Sequence, residues 1–246
     1  VSITFDIADN LYATGRVVMT GGTLFTPRCY VGLFGNGTMI VSNGNFYSEG
    51  QVSLSSQPGS VGNFIAAGGF SFCDSMIVSE GFQTTGTLLV TDTAELGTDL
   101  LDVRTGGTVR LDGGLFTAVN LFLKGTSQFI FNQGTLQTVS ASISNNAPFV
   151  VGDGTHAAVY RIFSETNAFY RGLRIAPNAT LAGGALIVGS VTNSGVIAPG
   201  FPDTFPPLYP PPININGSLV LSNSSELRFE LGGYTPATQF DFLRVS

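Results

Sequence analysis

Acidic side chains are the first candidates for chemistry in this chain. Asp92, Glu95, Asp99, Asp102 and Asp112 form its densest group of carboxylates. Paired carboxylates can cleave glycosidic bonds, one as general acid and the other as base or nucleophile. Such a site needs its acids on one face, with Arg, Lys or His close by. The spacing argues against it. Aligned as repeats, Thr91 and Asp112 share a column and Asp92 falls one place off it. No Arg or Lys ladder accompanies the acids, although Arg104 and Arg110 are close in sequence. They read as solvated corner residues. Calcium held by Asp112 and its neighbours is the alternative, but the glycine-aspartate nonapeptide of calcium-binding solenoids is absent. Glu226 and Glu230, four apart in a strand-like run, share a face without further signs of paired catalysis. His156 has no second His or Cys at ligand spacing and reads as a turn or surface residue. No Ser-His-Asp arrangement, phosphate loop or dinucleotide fingerprint occurs. The residues predict no catalytic site, no metal and no cofactor, hence a protein that is not an enzyme.

The elements that must position any functional side chain are repeats. The first apolar position of each copy falls at Val17, Met39, Phe64, Leu88, Val109 and Phe129, in steps of 22, 25, 24, 21 and 20 residues. Units of that length cannot bury an apolar face alone and must stack. Each opens with a strand whose inward residues alternate: Val17 and Met19, Met39 and Val41, Phe64 and Ala66, Leu88 and Val90, Val109 and Leu111, Phe129 and Phe131. A corner follows at Gly21-Gly22, Asn43-Gly44, Gly68-Gly69, Asp92-Thr93, Gly113-Gly114 and Gln133-Gly134. A further strand carries Val31 and Leu33, Val52 and Leu54, Met76 and Val78, Leu101 and Val103, and Leu121 and Leu123. Where Thr93 replaces Gly the apolar phase slips by one, which predicts a bulge.

The pattern predicts an all-β fold, a right-handed parallel β-helix with turns of 20–25 residues. A hairpin sandwich fits worse, because like residues recur at the same place in successive turns. We read residues 1–246 as a single solenoid, with regular repeats over 1–144 and a continuing solenoid over 145–246. The proline-rich segment 201–212 leaves it as a protruding loop, since proline cannot donate to a ladder. Cys29 and Cys73 lie two repeats apart, roughly 9–10 Å at the usual strand spacing, too far for a disulfide. They read as small apolar core residues; a cross-link between subunits is the alternative.

Composition narrows the partners. Only 11% of residues are charged, against about 25% in an average domain. The net charge of −6, with a single Lys and scattered Arg, argues against nucleic acid and anionic membranes. No apolar run approaches the roughly 18 residues of a spanning helix, so no membrane span is expected. Opening at Val1 without a signal peptide is what a processed or trimmed piece of a longer product would show.

Several runs of the second half have a familiar form. They are Phe149-Val150-Val151-Gly152-Asp153-Gly154-Thr155, Asn178-Ala179-Thr180-Leu181-Ala182-Gly183, Gly189 to Gly200 and Ile215-Asn216-Gly217-Ser218-Leu219. With Glu226–Gly233 and Phe240–Ser246 they resemble bacterial secreted autotransporter-associated β-strand repeat proteins, including PEP-CTERM-type surface β-helix proteins. The resemblance implies a parallel β-helix outside the cell or on its surface, used as a scaffold without catalytic residues. Two departures stand out: the long proline-rich insertion, and the lack of a sorting anchor or membrane barrel in this sequence.

The ends suggest assembly. Val1, Ile3, Phe5 and Ile7 alternate strictly, and the stretch Phe240, Phe242, Val245 is again strand-like. Open solenoid ends can template another chain, and a head-to-tail contact that does not close makes a filament. Phe205 and Tyr209 of the proline-rich loop would touch the next subunit. The expected function is an extracellular structural solenoid that stacks with itself into a surface or matrix fibre. A glycan-binding adhesin using Tyr30, Tyr47 and Tyr209 is the alternative, and a polysaccharide-cleaving enzyme a weaker one.

Overall fold

The computed structural model describes residues 4–200, 212–231 and 241–246. It is an all-β solenoid of about eight turns. The chain divides into two compact units, Val1–Ile130 and Phe131–Ser246. Of the assembly residues inferred above, Val1, Ile3, Phe205, Tyr209 and Phe240 lie outside the described residues, as does nearly all of the proline-rich segment.

The first unit holds β1 (Phe5–Ile7), β2 (Thr14–Thr26), β3 (Cys29–Val31), β4 (Asn36–Leu54), β5 (Val61–Ala66), β6 (Phe70–Val78), β7 (Thr85–Val103) and β8 (Gly107–Gly125). Each turn pairs in parallel with the next. The registers set Val17 beside Met39, Met39 beside Phe64, Phe64 beside Leu88 and Leu88 beside Val109. All but half-buried Val17 are fully enclosed. Size is balanced within a turn rather than along a column. The column Leu24–Phe46–Ser71–Leu96–Phe116 puts Ser71 in the turn that holds Phe64. The two rings of Phe46 and Phe64, from neighbouring turns, meet at 5.6 Å. Burying one such side chain is worth about 1.5–3 kcal/mol.

The second inward column of the first turn is corrected. Cys29 and Val31, rather than Val31 and Leu33, stand beside Val52 and Leu54. β3 is short and follows Thr26 closely, so the strand starts two residues earlier than the repeat spacing suggests. Cys29 therefore stands between Phe5 and the Val52–Met76–Leu101 column, while Cys73 sits in the Thr26–Ser48–Thr98 column. Both thiols are free and buried.

Corners need a left-handed backbone. Gly22, Gly44, Gly69 and Gly114 supply it with φ of 77°, 89°, 69° and 67°. In the turn without that glycine, Asp92 takes φ of 53° instead, and the register slips between Asp92 and Glu95, where the bulge was expected. A second glycine column, Gly15–Gly37–Gly62–Gly86–Gly107, opens the successive turns. Its φ values are ordinary; space is what it lacks. A Cβ on Gly62 would lie 2.1 Å from the Val31 carbonyl oxygen and 2.4 Å from the Ser55 nitrogen.

The second unit holds β9 (Gln128–Asn145), which enters it from the first, then β10 (Phe149–Val151), β11 (Ala158–Phe169), β12 (Leu173–Ile175), β13 (Ala179–Val188), β14 (Val191–Asn193), β15 (Val196–Pro199), β16 (Ile213–Asn216), β17 (Leu219–Leu221), β18 (Glu226–Leu227) and β19 (Leu243–Val245). Its strands are also parallel, with columns such as Leu136–Tyr160–Leu181–Ile197 and Phe149–Leu173–Val191–Leu219. Phe149, Tyr160 and Phe169 form an aromatic core, with centroids 5.6 to 6.3 Å apart. The buried Tyr160 hydroxyl lies 2.9 Å from Thr138 Oγ1, and Thr138 Oγ1 donates to Asn167 Oδ1 at 3.0 Å. A polar group enclosed in a core needs such a partner.

Candidate functional site

The middle strand of each turn in the first unit turns every second residue outward. In β2, β4, β6, β7 and β8 the inward residues are Leu24 and Thr26, Phe46 and Ser48, Ser71 and Cys73, Leu96 and Thr98, and Phe116 and Ala118. The residues between them build three outward columns. One runs Phe25–Tyr47–Phe72–Gly97–Thr117 and its neighbour runs Thr23–Asn45–Phe70–Glu95–Leu115. Turns repeat every 4.8 Å or so, and alternate residues of a strand are about 6.6 Å apart. Phe25, Tyr47, Phe70 and Phe72 thus share one patch of sheet.

The rings are ordered by their neighbours. Tyr47 and Phe70 meet at 5.6 Å with planes tilted by 45°. A Cβ on Gly97 would lie 3.0 Å from Phe72 Cδ2, so the Phe72 ring lies over the bare backbone of the next turn. Phe25, 57% exposed, begins the column. Tyr47, Phe70 and Phe72 are half-buried beside it.

The third outward column is acidic. Glu49, Asp74 and Asp99 follow Tyr47, Phe72 and Gly97 by two residues, and all three are exposed. Asp74 stands opposite Asp99, since Cys73 pairs with Thr98 and Ser75 with Leu100. Glu95, also exposed, borders Phe70. None of these four carboxylates belongs to an ion pair among the described residues.

Four other acids, Asp102, Asp112, Asp153 and Glu226, have a cationic or His partner. Asp102, whose sequence neighbourhood lacks a basic ladder, receives one from the fold: Arg104 Nε lies 2.8 Å from its Oδ2 and Lys124 Nζ 2.8 Å from its Oδ1. This corrects the expectation that no Arg or Lys ladder accompanies the acids. Val103 pairs with Leu123, which brings Arg104 and Lys124 side by side from adjacent turns. Burial alone would raise the Asp102 carboxyl; the Lys124 and Arg104 bonds and charges outweigh it and hold the group below its ordinary range. Lys124 also lies 5.2 Å from the Phe122 ring centroid. Arg110 is paired with Asp112, and Glu80 accepts from Gln51 and Ser53. Asp102 and Glu80 are thus both held by side-chain donors.

The remaining sequence candidates stand apart. His156 Nδ1 lies 2.7 Å from Asp153 Oδ2, while Asp153 Oδ1 accepts the backbone N–H groups of Thr155 and His156 at 2.8 Å. Those bonds to the charged form, led by the His156 N–H, depress the Asp153 carboxyl strongly. This is a capped turn. Glu226 pairs with Arg228 at 3.0 Å, and Glu230 is exposed. Among the described residues no group of three or more His, Cys, Asp or Glu is placed to hold a metal. Nor, among the described residues, is any helix long and apolar enough to cross a membrane.

Ile7 is enclosed, 3% exposed, and continues the Val31 column, while Phe5 is half-buried beside Cys29. Phe242 and Val245 are exposed; Val245 pairs with Ile215 in the last described turn. Tyr30 and Tyr47 are both half-buried, on different strands. The sequence reading singled out Tyr47 but missed Phe25, Phe70 and Phe72 as its companions. The signal was an aromatic residue in three successive repeats at the second outward place after the corner.

Fold and site together define a β-solenoid that carries its distinctive side chains on an outward sheet face. No family model matches the chain, and no curated protein and no solved structure is significantly similar to it.

Proposed function

We propose that the protein is a non-enzymatic structural β-solenoid of the cell exterior that holds glycan on the aromatic face of its first unit. The observation that carries this reading is the Phe25–Tyr47–Phe72 column with Phe70 beside it. A rigid sheet fixes the rings at regular intervals before any ligand arrives, which lowers the ordering cost of binding. The C–H faces of sugar rings are apolar and flat, and stack on such a surface, while hydroxyl groups reach Asn45 and Thr23 alongside. Sedimentation of the chain with insoluble polysaccharides tests it. Tyr47→Ala and Phe72→Ala should each release the chain into the supernatant, while Phe82→Ala, at an exposed aromatic residue outside the strip, should not.

A second reading is end-to-end assembly into a fibre. It is favoured by the exposed apolar side chains of Val220, Leu221, Leu231 and Val245. Electron micrographs of concentrated protein should show filaments; a monodisperse monomer by light scattering would contradict this reading.

A further inference from the structure

We propose that the aromatic face takes a polycationic glycan, a polymer of amino sugars with free amines, whose rings lie on Phe25, Tyr47 and Phe72 and whose ammonium groups meet Glu49, Asp74 and Asp99. The inference rests on the glycan reading above and adds the charge of the ligand. The acidic column lies two residues beyond the aromatic one along each strand, about 6.6 Å away. That is the reach of a ring substituent when the ring itself sits on an aromatic side chain. Three successive turns carry an acid there, so a polymer crossing those turns meets Glu49, Asp74 and Asp99 in sequence.

Charge complementarity selects the ligand. Glu49, Asp74, Glu95 and Asp99 have no basic partner among the described residues, although Arg104, Arg110, Lys124 and Arg228 are all paired elsewhere in the molecule. Asp74 and Asp99 face each other across adjacent turns, an arrangement that repels unless a cation lies between. A neutral glycan gains only hydroxyl hydrogen bonds from these acids, and an acidic one is repelled. An ammonium group gains from the carboxylates while its sugar ring covers Tyr47 or Phe72. The net charge of −6 draws a polycation in from a distance. A lysine-rich peptide would meet the acids but has no flat apolar ring to lay on the column, which Phe72 extends over Gly97.

The test uses the full chain and four probes: chitosan, its N-acetylated counterpart, polygalacturonate and polylysine. Chitosan should bind, the acetylated polymer at least about tenfold more weakly, and polygalacturonate not at all. Raising salt from 0.1 to 1 M shortens the Debye length from about 10 to about 3 Å and should weaken chitosan binding about tenfold or more. The double variant D74N/D99N should lose binding to a similar degree while melting no lower than the parent, because it removes a like-charge pair. Equal binding of the free-amine and acetylated polymers, indifferent to salt, would overturn this inference and leave the glycan reading standing. Polylysine binding as tight as chitosan would overturn it in favour of a peptide surface. Binding of no glycan would overturn both readings.

Discussion

The thiols of Cys29 and Cys73 show how completely single residues are enclosed by the stack. Burial pushes each up to about 12, and both are 0% exposed. A thiolate is the reactive form, so neither should react with a disulfide reagent at pH 8 until the protein unfolds. Titration of free thiols before and after guanidinium should give none and then two. Asp102 makes a complementary case. Its carboxyl is held below the ordinary value, so its contribution to stability is complete above the unfolded-state value of about 3.9 and is lost as pH falls through the lower folded value. Thermal melts from pH 6 down to pH 2 should show this loss. Asp102→Asn should lower stability near neutral pH, since Arg104 and Lys124 lose their partner, and flatten the acid limb.

At the scale of elements, glycines and corners set where the chain can turn. Gly62→Val should destabilise by at least about 4 kcal/mol or abolish folding, because its side chain would enter the Val31 backbone. The corner prediction is finer. Asp92 rather than Thr93 occupies the left-handed region, so Asp92→Val should cost about 1–2 kcal/mol, and exposed Thr93→Val should stay within about 0.5 kcal/mol. Urea midpoints that moved equally would contradict the corner assignment. Much of this scale was legible in the sequence. The inward alternation from Val17 to Leu111, the corner glycines and the slip near Thr93 follow from period and spacing alone. The glycine column through Gly62 was not, because it answers to the close passage of another strand and not to a turn. The Cys29 column was missed because strand β3 begins early. Arg104 and Lys124 lie far apart in sequence and meet only once the register of adjacent turns is known.

For the whole molecule, stacking converts a sequence period into a surface period. A residue that recurs once per turn becomes a column, and the columns of the first unit place aromatic rings beside unpaired acids. The same rule explains why sequence inspection found Tyr47 without its companions: Phe25, Phe70 and Phe72 are distant along the chain and become neighbours through parallel pairing. We propose this outward aromatic column as a glycan-binding face on a non-enzymatic scaffold. Calorimetry with chitosan tests it, comparing the chain with the variant Tyr47→Ala/Phe72→Ala at equal fold content. Affinity should fall about a hundredfold, about 1.4 kcal/mol from each ring. Unchanged affinity in a folded double variant would contradict it.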